Sequence, residues 1–142
     1  MFTAAALLDL HTRTHTSFGK LLDHCAGFRA SQLHRRIDGF GAGSIAEQFQ
    51  HVIGAERYWI GVLHGELLAD DDPADRASSA ALRAFHDRIA ARTAGYLRST
   101  SDADLNAARP MALWGDRAAD LVPALVVVRT LTHAFQHQGQ IA

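Results

Sequence analysis

Apolar residues recur every three or four positions in four separate stretches of this chain, and no convincing strand run appears. That spacing is the repeat of a helix with one buried stripe. The first stretch covers about residues 3–28, with Leu7, His11, Thr14, Phe18, Leu21, Leu22 and Cys25 on its stripe. Gly27 and the segment 35–43, with Gly39, Gly41 and Gly43, break it. Ser44 followed by Glu47 reads as a helix N-cap with a capping box. It opens a second helix over about 45–64, carrying Ile45, Phe49, Val52, Glu56, Trp59 and Leu63 inward, and Gly65 supplies the left-handed residue at its end. The acidic run 69–75 is a linker. Ser78 or Ser79 caps a third helix over about 79–98, with Leu82, Phe85, Ile89 and Tyr96 inward and Arg83, Asp87, Arg88, Arg92 and Arg98 in solvent. Residues 99–119 form a longer connection, with a short extended piece around Met111 to Trp114. Asp120 caps the fourth helix, Pro123 falls in its first turn, and the helix then runs to the end of the sequence.

Four amphipathic helices of this length specify an all-α fold, a four-helix up-down bundle. Its long connections cross an end of the bundle and shape a pocket there. The 142 residues suit one domain over 1–142, and 48% apolar residues supply a core without covalent staples. Fourteen Lys and Arg against fifteen Asp and Glu leave a formal charge of −1, so charge gives no reason to expect nucleic acid or an anionic membrane as partner. One cysteine, Cys25, cannot form an internal disulfide, and the opening MFTAAALLDLHTRTH lacks a basic leader region, so the expected location is cytoplasmic. The longest apolar run, Leu121 to Val128, stops at Arg129, which is too short for a membrane span.

Nine histidines, scattered rather than clustered in a tract, are the compositional oddity. Two pairs have HxxxH spacing: His11 with His15, and His133 with His137. On the fourth helix, Val122, Val126, His133, His137 and Ile141 share a stripe, so those two imidazoles point into the bundle. Rings at i and i+4 can reach one cation, but a site needs a third ligand, and His51 in the second helix is the best-placed candidate. Three neutral imidazoles leave a coordination position open, as catalytic sites do. The plainer reading keeps His133 and His137 as core-edge histidines bonded to carbonyls or water. His11 lies on the inward stripe, and His11 with His15 lacks an evident third ligand, so lining a pocket is its expected role. His24, His34, His64 and His86 read as surface or cap residues, Trp59 as core, Trp114 as core or pocket wall, and Cys25 as buried and inert. Glu56 reads as a helix-surface or interhelix ion-pair partner rather than a general base, and Gln136 and Gln140 as residues that orient ligands. Leu121, Leu125, Val128, Thr132 and Phe135 form a second apolar face on the last helix, which calls for a second copy of the chain, a homodimer. No P-loop, GxGxxG, GxSxG or HExxH motif occurs.

The segment SIAEQFQHVIGAERYW, followed some eighty residues later by THAFQHQGQI, resembles the DinB/YfiT-like superfamily. The matching positions are Ser44, Ile45, His51 and Glu56 in the first motif, and His133, His137, Gly139, Gln140 and Ile141 in the second. The resemblance covers the order and spacing of all four helices. It implies a four-helix bundle, often dimeric, with a divalent metal, Zn or Ni, held by His51, His133 and His137. It further implies a thiol-dependent transferase or isomerase acting with a low-molecular-weight thiol as cosubstrate. A metal-assisted hydrolase, a non-catalytic metal- or ligand-binding bundle and a dimerisation module with a degenerate site are the alternatives. Catalytic residues beyond the ligands are not assigned. Gln138 stands where Arg is common and Thr132 where Asn is common. The helix end, so near His137, is expected to fray.

Overall fold

The computed structural model describes residues 1–39, 41–68 and 72–142. Four long helices make the bundle: α1 (Ala4–His24), α3 (Ile45–His64), α4 (Ser79–Ser99) and α6 (Pro123–Ile141), with the short α2 (Ala30–Leu33) and α5 (Asp102–Asn106) in the connections. Each of α1 and α3 packs against both α4 and α6. The fold is all-α apart from one hairpin, and no helix among the described residues is long and apolar enough to cross a membrane.

Helix boundaries follow local chemistry. Thr3, Ser44 and Ser78 each accept a backbone N–H in the first turn of α1, α3 and α4. Gly65, at φ 73°, closes α3 in the left-handed conformation, as its sequence position predicts. The first helix is shorter than the apolar stripe suggests: α1 ends at His24, and Cys25–Gly27 tightens into a 3-10 turn. Of the acidic linker at 69–75, residues 69–71 lie outside the described residues, as does Phe40 in the glycine-rich loop, while Pro73–Arg76 forms a 3-10 turn.

The sequence expectation fails between the third and last long helices. Asp120 does not cap α6. It lies in β2 (Arg117–Leu121), which pairs antiparallel with β1 (Arg109–Leu113), Arg109 opposite Leu121 and Leu113 opposite Arg117. Gly115 and Asp116 take positive φ, 72° and 54°, and turn the chain between the strands. The short extended piece expected at Met111–Trp114 is therefore one arm of a hairpin. Helix α6 begins at Pro123, with Val122 making no side-chain cap. Met111 is buried, and Arg109 donates to the Leu63 carbonyl at 2.8 Å, which fastens the hairpin to the end of α3.

A polar layer divides the core in two. On one side pack Phe18, Phe49, Leu82, Phe85 and their neighbours; on the other pack Leu7, Ile60, Leu97, Val127 and theirs. Between them, at the same height in the bundle, lie the buried His11 and Thr14 of α1, Glu56 of α3 and Thr93 of α4. Buried polar groups cost stability unless they find partners, so this layer has to be internally satisfied.

Candidate metal centre

Packing of α3 against α6 brings His51 to His133 and His137. His133 Nε2 lies 3.2 Å from His51 Nε2 and 3.0 Å from His137 Nε2. Two nitrogens bound to one ion at about 2.0–2.1 Å stand about 2.9–3.4 Å apart for angles between a right angle and the tetrahedral value. The three rings are thus spaced as ligands of one cation would be. His51 is exposed, while His133 and His137 are half-buried, so the cluster sits at the bundle surface rather than in the layer between the cores.

The surroundings disfavour the charged form of His133 and His137. Burial, and then repulsion from His137, His51 and Arg129, pushes His133 down to about 4. His137 is also lowered, by burial first and then by His51. Neutral imidazole is the form a metal needs.

Gln48, one turn before His51, is fully buried, and its carboxamide nitrogen lies 2.6 Å from His137 Nδ1. Its oxygen accepts from the Ala42 N–H at 3.2 Å, and its nitrogen donates to Gln140 Oε1. In this orientation Gln48 donates to Nδ1 and leaves the hydrogen on Nε2. Turned by half a rotation, its oxygen would accept from Nδ1–H and free the Nε2 lone pair for a cation. The spacing of the donor set fits a divalent ion, while ligation through His137 Nε2 requires Gln48 to reverse and give up the Ala42 N–H.

Hollows surround the triad. One of about 180 Å³ is lined by His51, Ala55, Trp59, Arg129, Thr130 and His133. A second, about 240 Å³, adds Tyr58 and Trp114, and a third, about 280 Å³, opens between Gly41, Gln48, His137 and Gln140. Trp59 forms a shared wall, with the Arg129 guanidinium 5.1 Å above its ring.

Residues 13–141 match the DinB superfamily. The chain belongs to that superfamily. No curated protein matches it. The helical fold and the meeting of the two resemblance motifs are what membership leads one to expect.

Other expectations for this DinB protein divide. Trp59 is half-buried and lines the cleft rather than filling the core, because its turn of α3 faces the groove beside α6. Trp114 is 43% exposed and packs against Tyr58, ring centres 4.3 Å apart and planes tilted by 43°, so it is pocket wall. Gln140 joins the ligand network but Gln136 is exposed. Gln138 accepts from Ser17 at 3.2 Å and points its amide at the Thr14 carbonyl, so it stitches α6 to α1 instead of facing the triad. With Gln48–Gln140, that contact ties the last turn of α6. Cys25 is buried, which raises its thiol and makes it a poor nucleophile.

His86 is not a surface residue. It is buried, with Nε2 2.9 Å from His15 Nδ1 and Nδ1 2.8 Å from Asp87 Oδ1. His11 and His15 do not line the triad's hollows; they meet Glu56 inside the bundle. Sequence reasoning missed Gln48 and His86. Each flanks an inward stripe by one position, which was the available signal.

Proposed function

We propose that this DinB protein is a cytoplasmic, metal-dependent enzyme that joins a low-molecular-weight thiol to an electrophilic substrate, as a transferase or isomerase. The observation that carries the reading is the convergence of three Nε2 atoms from α3 and α6 at the mouth of an aromatic-walled cleft. His51, His133 and His137 would hold the ion, Zn or Ni, and leave its cleft side open to ligand. A bound divalent ion supplies Lewis acidity, which favours the thiolate over the thiol at neutral pH. Gln48 and Gln140 fix the orientation of His137. Arg129, braced on Trp59 and one turn before His133, offers the cleft a cationic group for a carboxylate of the thiol. Tyr58, Trp59 and Trp114 give the apolar part of the electrophile a surface to stack on.

The exposed stripe of α6 supports a homodimer. Leu125 and Phe135 are each 55% exposed, about 80° apart around α6, and large apolar side chains exposed on one broad face of a helix favour a second copy of the chain. The DinB resemblance points the same way.

The test is a thiol-plus-electrophile assay on zinc- and nickel-loaded protein, with metal counted in parallel. The expected result is turnover that disappears with chelator and in His133→Ala, together with loss of one bound ion in that variant. Turnover indifferent to chelator overturns the mechanism.

A further inference from the structure

We propose that the polar layer inside the bundle is a second metal site, a closed structural zinc held by His11 Nε2, His15 Nε2 and the two carboxylate oxygens of Glu56. The proposal is independent of the catalytic reading above. His11 Nε2 lies 3.1 Å from Glu56 Oε1, and His15 Nε2 lies 3.0 Å from Glu56 Oε2. These separations suit ligands around one ion, and in the metal-free chain they also let His11 hydrogen-bond to Glu56.

The hydrogen bonds around His15 carry the argument. Asp87 is an acceptor, so the hydrogen of His86 sits on Nδ1, and His86 Nε2 is left to accept. His15 then donates to it from Nδ1, at 2.9 Å. That leaves His15 Nε2, when the ring is neutral, with a lone pair turned toward a carboxylate. Two acceptors at 3.0 Å repel unless a cation joins them. A proton would have to lie near the line between them, and the ring is turned off that line: His15 Nε2 is buried without a hydrogen-bond partner. A metal ion makes no such demand, because it sits at the apex between its ligands.

The outer partners match what a ligated histidine and carboxylate require. His15 is backed by His86 and Asp87, the hydrogen-bonded chain that orients a ligating imidazole. Thr93 donates to Glu56 Oε1 at 2.6 Å. Burial alone would raise Glu56, but the donors and positive groups facing it, the His11 hydrogen bond first, outweigh burial and hold the carboxyl well below the ordinary range. Two imidazoles and a bidentate carboxylate complete four positions, in a layer where His11 and Glu56 are buried. That composition fits zinc in a structural role.

The experiment uses the full chain with His133→Ala and His137→Ala together, which leaves only His51 at the surface cluster. After zinc loading and desalting, the double variant should retain one ion per chain where the parent holds two. Zinc-edge absorption on that ion should fit two imidazoles plus oxygen donors, and zinc should raise its melting temperature. Adding Glu56→Gln should remove the last ion; if that triple variant does not fold, the absorption spectrum of the double variant decides. A double variant that binds no zinc, or whose ion shows other than two imidazoles, overturns the proposal. A parent with one ion and a double variant with none would leave the surface triad standing and remove the interior site.

Discussion

His133 should titrate far below an ordinary histidine, and the consequence is measurable in the metal-free protein. Its imidazole falls from 6.5 to about 4 because the ring is partly buried and faces His137, His51 and Arg129. An ordinary imidazole at pH 5.5 is about nine-tenths protonated, whereas a ring at about 4 carries only about 0.03 proton. The folded state therefore binds fewer protons than the unfolded chain between about pH 4 and 6.5. By linkage, metal-free stability falls as pH falls through that window, and it levels off below the folded value. At full weight the drop between pH 7 and 4.5 would be about 2 kcal/mol; the half-buried ring is screened by solvent, which reduces it to roughly 1 kcal/mol. The perturbation is His133→Gln, which keeps a polar side chain and removes the titration. Denaturant unfolding in the presence of chelator, at both pH values, should show the parent losing about 1 kcal/mol more than the variant. Proton NMR of the ring in the metal-free parent should give a midpoint near 4. Parallel losses in the two proteins, or a midpoint near 6.5, would refute the reading of the site as a cluster that excludes protons.

Gln48→Glu, able to accept from both His137 and Ala42, favours the Nδ1–H tautomer and should tighten zinc at the surface triad by about tenfold or more, whereas Gln48→Met, which only removes the donor facing Nδ1, should not; competition with a chromogenic chelator reads both, and equal effects would contradict the tautomer argument. Gly61→Ala would ordinarily favour a helix, but here the new Cβ would lie 2.5 Å from the Glu66 carbonyl oxygen, so the variant should lose about 1–3 kcal/mol in thermal unfolding, and a gain would contradict the packing at the end of α3. Leu125→Glu with Phe135→Glu should convert a dimer to a monomer in sedimentation equilibrium while leaving helicity unchanged; a parent that is monomeric at all concentrations would remove the dimer.

The parts of this fold written in local chemistry are the parts its sequence discloses. Ser44, Ser78 and Gly65 act on backbone groups three or four residues away, so their roles are legible without knowing what packs against the helix. Asp120 shows the limit. It is a good capping residue and a poor strand former, yet it sits in a strand opposite Pro110, a pairing ten positions away that local pattern does not disclose. The turn at Gly115 and Asp116 was the legible signal, hidden because Ala112, Ala118 and Ala119 give the strands no alternation of apolar and polar side chains. His86 was masked in the same way, by Asp87 and Arg88 beside it in a helix read as solvated on that face. Its burial depends on His15, from a helix seventy residues away.

The two HxxxH pairs show why spacing alone does not assign chemistry. Each pair presents two imidazoles one turn apart, His11 with His15 on α1 and His133 with His137 on α6. Each meets a third potential ligand from the same helix, α3, and those two residues, His51 and Glu56, are five positions apart. Five residues advance a helix by about 7.5 Å and turn it by about 140°, so one side chain faces α6 at the surface while the other reaches toward α1 in the interior. The third ligand then sets the character of each cluster. An exposed His51 leaves the first open to a cleft and to solvent. An ionised, buried Glu56 gives the second a charge that has to be neutralised in place, and the apolar layers above and below it flank the site. Surface chemistry and core cohesion would thus be built from one repeated pair, separated by less than two turns of α3.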